Sequence, residues 1–232
     1  MILCLETATN LCSVALCNSA GAISLRETSE SRSHASMLTL LIEEVLNENG
    51  IKANDLEAIA VSKGPGSYTG LRIGVSVAKG IAYAVSVPLI GIGTTLSMYY
   101  GISGYSINNR LDDKKLLYCP MLDARRMEVY YALYDINGDT VKEISAEIID
   151  EESFKTIPEE HNILFFGDGS AKCKGIIKRE NSHFADEYKI SASHMHKPVY
   201  KAFTNRLFED VAYFEPFYLK DFITSIPRKN IL

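Results

Sequence analysis

A glycine-rich turn followed by a long helical pattern constrains this chain more than any other feature. Residues 63–74 read KGPGSYTGLRIG and join an apolar segment to that pattern. A Walker loop would end in Gly-Lys-Ser/Thr, and glycines at 64, 66 and 70 also miss the dinucleotide spacing. We therefore predict that the glycines shape the turn and that Ser67 or Thr69 caps the helix, with anion binding at the helix start as the alternative.

The helix after the turn has a ridge of small residues beside an apolar ridge. Their members recur every four positions: Gly70, Gly74, Ala78 and Ala82, next to Ile73, Val77, Ile81 and Val85. Side chains four apart share a helix face, and small ones allow a neighbour to approach closely. The pattern predicts a packing surface, against another helix of the chain or against a second protein.

Composition narrows the class of protein. The chain has 232 residues, 47% of them hydrophobic, and a net charge of -5. That length suits one large domain or two small ones, and the negative charge argues against a protein that binds nucleic acid by itself. Five scattered cysteines without a Cys-x-x-Cys pair predict small buried residues. We find no pattern of a membrane span or signal peptide, so we expect a cytoplasmic protein.

Strand and helix patterns occur twice in the same order. The first three strands are predicted at 2–5, 13–17 and 22–26, followed by a helix at 33–49 and a strand at 56–62. The glycine turn with its helix comes next, and then a further strand at 88–92. After a polar stretch at 103–115 come four strands, at 116–123, 128–135, 141–149 and 163–166, and a helix on the approach to Tyr218. The repetition predicts an α/β protein of duplicated β-β-β-α-β-α halves, with subdomains at 1–106 and 107–232.

Five segments in this order resemble the bacterial TsaB family, also called YeaZ. They are LETA at 5–8, SH at 33–34, GPGSYTGLRIG at 64–74, LDARR at 122–126 and EPFYL at 215–219. The resemblance implies a fold of the actin, Hsp70 and sugar-kinase (ASKHA) type. It implies a pseudo-enzyme subunit that acts with TsaD and TsaE to place threonylcarbamoyl on the tRNA adenosine beside the anticodon. TsaD would hold the metal and transfer the group from threonylcarbamoyl-adenylate, TsaE would hydrolyse ATP, and tRNA would be met through the complex.

The histidines favour a subunit without a metal of its own. The resemblance implies that catalytic relatives hold a metal through two histidines one helical turn apart. Here His34 is followed one turn later by Leu38. His194 and His196 lie two apart without an acidic or cysteine neighbour, which predicts a surface pair rather than a site. We expect neither a metal nor a cofactor.

Relatives of this fold bind nucleotide with an acid and small residues in the first hairpin of each half. The first half keeps an acid and a hydroxyl but no glycine, and in the second half Arg125 and Arg126 replace a glycine-rich turn. The arginines are either a solvated pair or a site for an anion or a partner's carboxylate. Candidates for residual nucleotide binding are Glu6, Thr7, Asp123, Gly167 and Gly169.

Two enzyme classes are alternatives to a scaffold. An active sugar or acetate kinase of this fold, of which a weak nucleotide-binding ATPase would be a remnant, would need glycine-rich phosphate loops in both halves. A glycoprotease-like hydrolase of the M22 family, suggested by older family naming, could use Ser67 or Ser36, but the chain has no Gly-x-Ser-x-Gly turn. Both alternatives therefore lack a motif that they require.

The helix predicted at 33–49 has more apolar residues than one buried stripe needs. Some of them should face outward and form, with the small ridge, a platform for a helix pair of TsaD, or for a second copy of the chain when TsaD is absent. Burial of all of them inside the chain is the alternative. The interface candidates are His34, Met37, Leu38, Leu41, Ile42, Val45, Gly70, Arg72, Gly74 and Ala78.

Overall fold

Two five-stranded sheets form the frame of the protein in a computed structural model that describes residues 1–29, 34–103 and 115–220. The first sheet contains β1 (Ile2–Glu6), β2 (Cys12–Asn18), β3 (Gly21–Thr28), β4 (Ala58–Gly64) and β5 (Leu89–Gly93). The second contains β6 (Leu116–Asp123), β7 (Glu128–Tyr134), β8 (Thr140–Ile148), β9 (Asn162–Phe166) and β10 (Ser182–Ala185).

The two sheets have the same strand order. The first runs β3-β2-β1-β4-β5 and the second β8-β7-β6-β9-β10. In each, an antiparallel meander of three strands continues into two parallel strands beside its first strand. The predicted duplication of the strand frame is therefore confirmed.

Helices cover the sheets unevenly. Within the described residues they are α1 (His34–Glu48), α2 (Tyr68–Val85), α3 (Thr94–Ile102) and α4 (His196–Thr204). α1 and α2 cover one face of the first sheet, and α4 with the 3-10 turn before it covers the other. α3 follows β5 but packs on the second sheet through Met98, Tyr99 and Ile102. Each sheet is thus covered in part by a helix from the other half of the chain: the first by α4 and the second by α3.

The central strands are buried on both faces. In β1, Leu3 and Leu5 face α1 and α2, whereas Ile2 and Cys4 face α4. Strands covered on both sides read as continuous apolar runs, which is the pattern that predicted them. All five cysteines are buried free thiols, as predicted.

The second half repeats the strands but not the crossover helices. Turns and a short 3-10 segment stand at 149–161 and 167–181, where the first half has α1 and α2. Pro158 and the glycines of the second segment interrupt any helical apolar period there. The helix predicted up to Tyr218 ends at Thr204, and β10 was not predicted. The subdomain boundary predicted at 106/107 lies outside the described residues.

Local signals at the helix ends behave as predicted. Ser67 caps α2, its Oγ accepting a 3.2 Å hydrogen bond from the Gly70 amide. Gly50 follows α1 with a φ of +64°, the left-handed conformation that glycine adopts readily. Among the described residues, no helix is long and apolar enough to cross a membrane.

Candidate functional site

The small ridge of α2 lies against the turn between β1 and β2. A Cβ atom at Gly70 would lie 2.1 Å from the Thr7 carbonyl oxygen, and one at Gly74 would lie 2.2 Å from Thr7 Oγ1. At Gly66 it would lie 2.4 Å from the Ala8 carbonyl oxygen. The glycines therefore let α2 approach this turn closely, and the first part of the ridge packs on a loop, where we expected a helix or a second protein.

Glu6 ends β1 as a fully buried carboxyl. Its oxygens accept hydrogen bonds from the Ser62 hydroxyl and, at 2.7 Å, from the Ala8 amide. Burial raises the pKa of Glu6 to about 7 against the lowering effect of these bonds. Glu6 and Thr7 are both 0% exposed, so these two nucleotide candidates are enclosed by the chain itself.

Asp123 lies at the end of β6 in a network of polar groups. Its carboxylate accepts hydrogen bonds from Lys172 and from the Arg125 amide, and its own amide donates to Asp168 Oδ1 at 3.0 Å. Burial opposes ionisation of Asp123, but these donors outweigh it and its pKa is lowered. The pKa of Asp168 is raised, chiefly by burial. Asp123 thus has its charge compensated inside the chain.

Gly167 and Gly169 bring the 167–170 turn onto β6. Gly167 has a φ of +101°, and a Cβ atom there would lie 2.3 Å from the Met121 carbonyl oxygen. The Gly169 amide donates to the same oxygen at 3.1 Å. The structure therefore places Asp123, Gly167 and Gly169 together, and these contacts account for both glycines as structural residues.

An open cleft of about 330 Å³ lies elsewhere, where the ends of β4 and β5 face β7 and β8. Its polar lining includes Lys63, Thr95, Tyr134 and Glu143. At its edge, Thr95 Oγ1 and the Tyr134 hydroxyl are 3.0 Å apart in a hydrogen bond. None of the five nucleotide candidates lines this cleft. Part of its lining comes from the glycine-rich turn and the EPFYL segment, but sequence reasoning did not single out Thr95, Tyr134 or Glu143, which lie on a helix and two separate strands.

His194 and His196 do not form the surface pair that we predicted. They stand in the 3-10 turn and at the start of α4, and both are half-buried. His194 Nδ1 is 3.2 Å from the Tyr188 hydroxyl, and burial lowers the pKa of His194. No group of three His, Cys, Asp or Glu side chains in the described part of the chain is arranged to hold a metal ion.

Most of the predicted interface residues are core residues. Their side chains, or for glycine their backbone, are buried between α1, α2 and the first sheet: Leu38, Leu41, Ile42, Val45, Gly70, Gly74 and Ala78. We expected some of the candidates to face outward. These seven do not, because α1 and α2 turn them onto the first sheet and onto the turn between β1 and β2. Arg72 is exposed, and His34 is half-buried with its Nε2 2.9 Å from the Thr9 carbonyl oxygen.

Both helices nevertheless keep apolar side chains on their outer sides. Leu40 of α1 is 48% exposed. The others are half-buried at the margin of the core. We call this set the outer strip: Met37, Leu40, Ile73, Val77 and Ile81. The apolar ridge of α2, rather than its small ridge, thus reaches solvent.

The chain after α4 returns to the glycine turn. The Glu209 amide donates to the Leu89 carbonyl oxygen at 2.8 Å, and the Phe217 amide donates to the Lys63 carbonyl oxygen at 2.6 Å. Lys79 of α2 donates to two carbonyl oxygens of this stretch, those of Ala212 and Phe214. The EPFYL and glycine segments, 140 or more residues apart, therefore form one surface.

Comparison with known proteins agrees with this fold. A model of the family described as TsaD, tRNA N6-adenosine threonylcarbamoyltransferase, matches residues 27–222. The tRNA threonylcarbamoyladenosine biosynthesis protein TsaB of Escherichia coli K12 is 34% identical over 157 residues, which are 65% of this chain and 64% of that protein. A Pseudomonas aeruginosa protein described as similar to peptidase YeaZ superposes with a TM-score of 0.79 at 22% identity, over 94% of this chain and 99% of that one.

A second solved structure, YeaZ from Pseudomonas aeruginosa, has a TM-score of 0.76 at 23% identity over 94% and 99% of the two chains. The chain belongs to the TsaD family, and within it stands with the proteins named TsaB or YeaZ. The matches span 52% to 64% of the length of the three curated TsaB relatives.

Proposed function

We propose that this chain is the non-catalytic subunit that TsaD and TsaE require to transfer threonylcarbamoyl to the tRNA adenosine beside the anticodon. Membership of the TsaD family and the likeness to TsaB biosynthesis proteins support the pathway. The observation that carries the non-catalytic role is Leu38. It stands one helical turn after His34, where a second metal ligand would be needed, and it is a core residue with no exposure.

The enclosed first hairpin supports the same role. A nucleotide phosphate would have to approach Glu6 and Thr7, which α2 covers. A hydrolase could use Ser67 as its nucleophile, but in this structure the Ser67 hydroxyl caps α2. In this proposal the chain binds no cofactor of its own and works through its surface.

TsaD is the proposed direct partner, and the outer strip is the proposed contact. Half-exposed apolar residues on two neighbouring helices suit a helix pair of a second protein, which would complete their burial in a four-helix arrangement. The same strip would pair two copies of the chain when TsaD is absent. TsaE would join the pair as the ATPase, tRNA would be met through the complex, and the assembly would work in the cytoplasm.

Depletion of the protein in its own cells tests the proposal. We expect threonylcarbamoyladenosine to disappear from digested tRNA, as measured by mass spectrometry, while the adenylate donor is still made. Wild-type protein supplied from a plasmid should restore it. Normal modification in fully depleted cells would overturn the proposal.

A further inference from the structure

The connection between β6 and β7 holds two arginines in a backbone conformation that glycine favours. Arg125 has a φ of +72° and Arg126 a φ of +50°. Positive φ brings Cβ too close to the backbone in residues other than glycine, so each position costs free energy in the folded state. Two adjacent arginines at such positions are an outlier that local folding preference does not explain.

The surrounding hydrogen bonds hold this conformation in place. The Arg125 amide donates to Asp123 Oδ1 at 2.8 Å, and the Glu128 amide donates to the Arg125 carbonyl oxygen at 3.1 Å. Lys172 links the two ends of the turn, because its Nζ donates to the Asp123 carboxylate and, at 2.7 Å, to the Glu128 carbonyl oxygen. The turn is therefore built to keep both residues at positive φ.

The two guanidinium groups are exposed and available. Neither forms a hydrogen bond or an ion pair with any residue that the structure describes. The nearby carboxylates already have partners: Asp123 pairs with Lys172 and Glu128 pairs with Lys220. Asp168, whose pKa burial raises, accepts from the Asp123 amide. The charge of Arg125 contributes to the lowered pKa of Asp123 and is partly compensated there, but neither guanidinium is held in an ion pair by the residues that the structure describes.

We propose that Arg125 and Arg126, the arginine pair, bind phosphodiester groups of RNA. Guanidinium groups match phosphate oxygens with paired hydrogen bonds, and here their backbones are fixed in advance. The pair stands at an open hairpin tip and does not line the cleft described above, which suits a polymer that passes over the surface. This inference rests on the proposed function, which brings tRNA to the complex.

The chain as a whole carries a net charge of -5, in contrast to the positive arginine pair. Such a chain has little general attraction for RNA, so the arginine pair would add a few phosphate contacts to those of the partners. Its loss should weaken tRNA binding by the complex for all sequences alike, since phosphates carry no base information.

The test variant combines Arg125→Asn with Arg126→Gly. Both replacements remove charge, and both tolerate positive φ, so the turn should form at least as readily and the thermal midpoint should stay or rise. A charge-preserving control combines Arg125→Lys with Arg126→Lys. Each protein is assembled with TsaD and TsaE, and binding of an unmodified tRNA transcript is measured across a salt series.

We expect the Asn/Gly variant to bind tRNA about tenfold or more weakly and to lower the salt slope by roughly one for each lost phosphate contact. The lysine control should retain most of the slope. Unchanged affinity and an unchanged salt slope in the Asn/Gly variant would overturn the proposal. So would failure of the Asn/Gly variant to assemble with TsaD, which would indicate that the pair binds a protein carboxylate.

Turnover of the wild-type complex separates this inference from the proposed function. If the wild-type complex modifies the transcript while the Asn/Gly variant binds it equally well, only the inference fails. If the wild-type complex binds the transcript through the pair but never modifies it, the proposed function fails and the RNA site remains.

Discussion

Arg72 and Tyr218 are joined across the molecule by a 3.0 Å hydrogen bond from the Arg72 Nε to the Tyr218 hydroxyl. The Arg72 guanidinium also lies 4.1 Å from the centroid of the Tyr68 ring, and the Tyr68 and Tyr218 rings are 5.0 Å apart. Cation–π and aromatic contacts of this kind add to the hydrogen bond. The last described stretch of the chain is thereby fixed to the first turn of α2.

Arg72→Ala should release that stretch. We expect hydrogen exchange at residues 212–218 to become faster, because Tyr218 loses its bond to Arg72 and the neighbouring hydrogen bond from the Phe217 amide to the Lys63 carbonyl oxygen then opens more often. Exchange in β6 and β9 should not change. Lys197→Ala, on the exposed side of α4, is the control and should leave residues 212–218 as protected as in the wild type. Equal exchange in Arg72→Ala and the wild type would contradict the contact.

Two glycines of the same helix should respond in opposite ways to alanine. Gly70→Ala forces a Cβ atom against the backbone of Thr7 and should lower the free energy of unfolding by about 1–3 kcal/mol. Gly80 has nothing within 4 Å of the added Cβ, so Gly80→Ala should raise it by about 1 kcal/mol through helix propensity. Urea unfolding measures both. Similar effects of the two substitutions would contradict the packing of α2 on the β1–β2 turn.

Glu6 should make the protein less stable as pH rises toward neutrality. Its pKa is raised from 4.5 to about 7, so the folded state holds the proton more tightly than the unfolded state does. The stabilisation is fully present below pH 4.5 and is lost as pH rises through 7. The total is on the order of 3 kcal/mol.

Glu6→Gln removes this titration. Its amide oxygen can accept from the Ala8 amide, and its NH2 can donate to the Ser62 hydroxyl oxygen, which reverses the second bond. The stability of Glu6→Gln relative to the wild type should therefore increase between about pH 5 and pH 8. Glu160→Gln, at an exposed position, should follow the wild type throughout. A constant difference between Glu6→Gln and the wild type would show that Glu6 titrates normally.

Two neighbouring leucines of α1, one in the outer strip and one in the core, allow the two surfaces to be tested separately. Leu40→Glu, at a 48% exposed position, should abolish co-elution with TsaD on a sizing column while the thermal midpoint stays nearly constant. Leu41 is 5% exposed, so Leu41→Glu should instead unfold the chain by burying an unpaired charge, at a cost of several kcal/mol. Leu40→Glu that still co-elutes would place the contact elsewhere.

The strand frame was readable from the sequence because its signals are local. Continuous apolar runs such as 2–5 and 116–122 and the capping serine at 67 each predict structure without knowledge of the rest of the chain. The ends of the predicted strands differ from those in the structure by at most two residues.

Helix faces were not readable in the same way. An apolar ridge and a small ridge on α2 are both compatible with burial, and only the position of the β1–β2 turn decides that Gly70 and Gly74 face inward. The contacts of Glu6 with Ser62 and of Arg72 with Tyr218 join residues 56 and 146 positions apart, so no local pattern indicates them. The strain at Arg125 appears only once its φ is known.

The most direct test of the proposed function is reconstitution of the transfer from purified components. TsaD, TsaE, ATP, threonylcarbamoyl-adenylate and an unmodified tRNA transcript are combined with and without this chain, and modified adenosine is measured by mass spectrometry. We expect modification to require the chain, and the chain with donor and tRNA alone to give none. Transfer at an undiminished rate without the chain, or transfer by the chain alone, would contradict a non-catalytic subunit that TsaD requires.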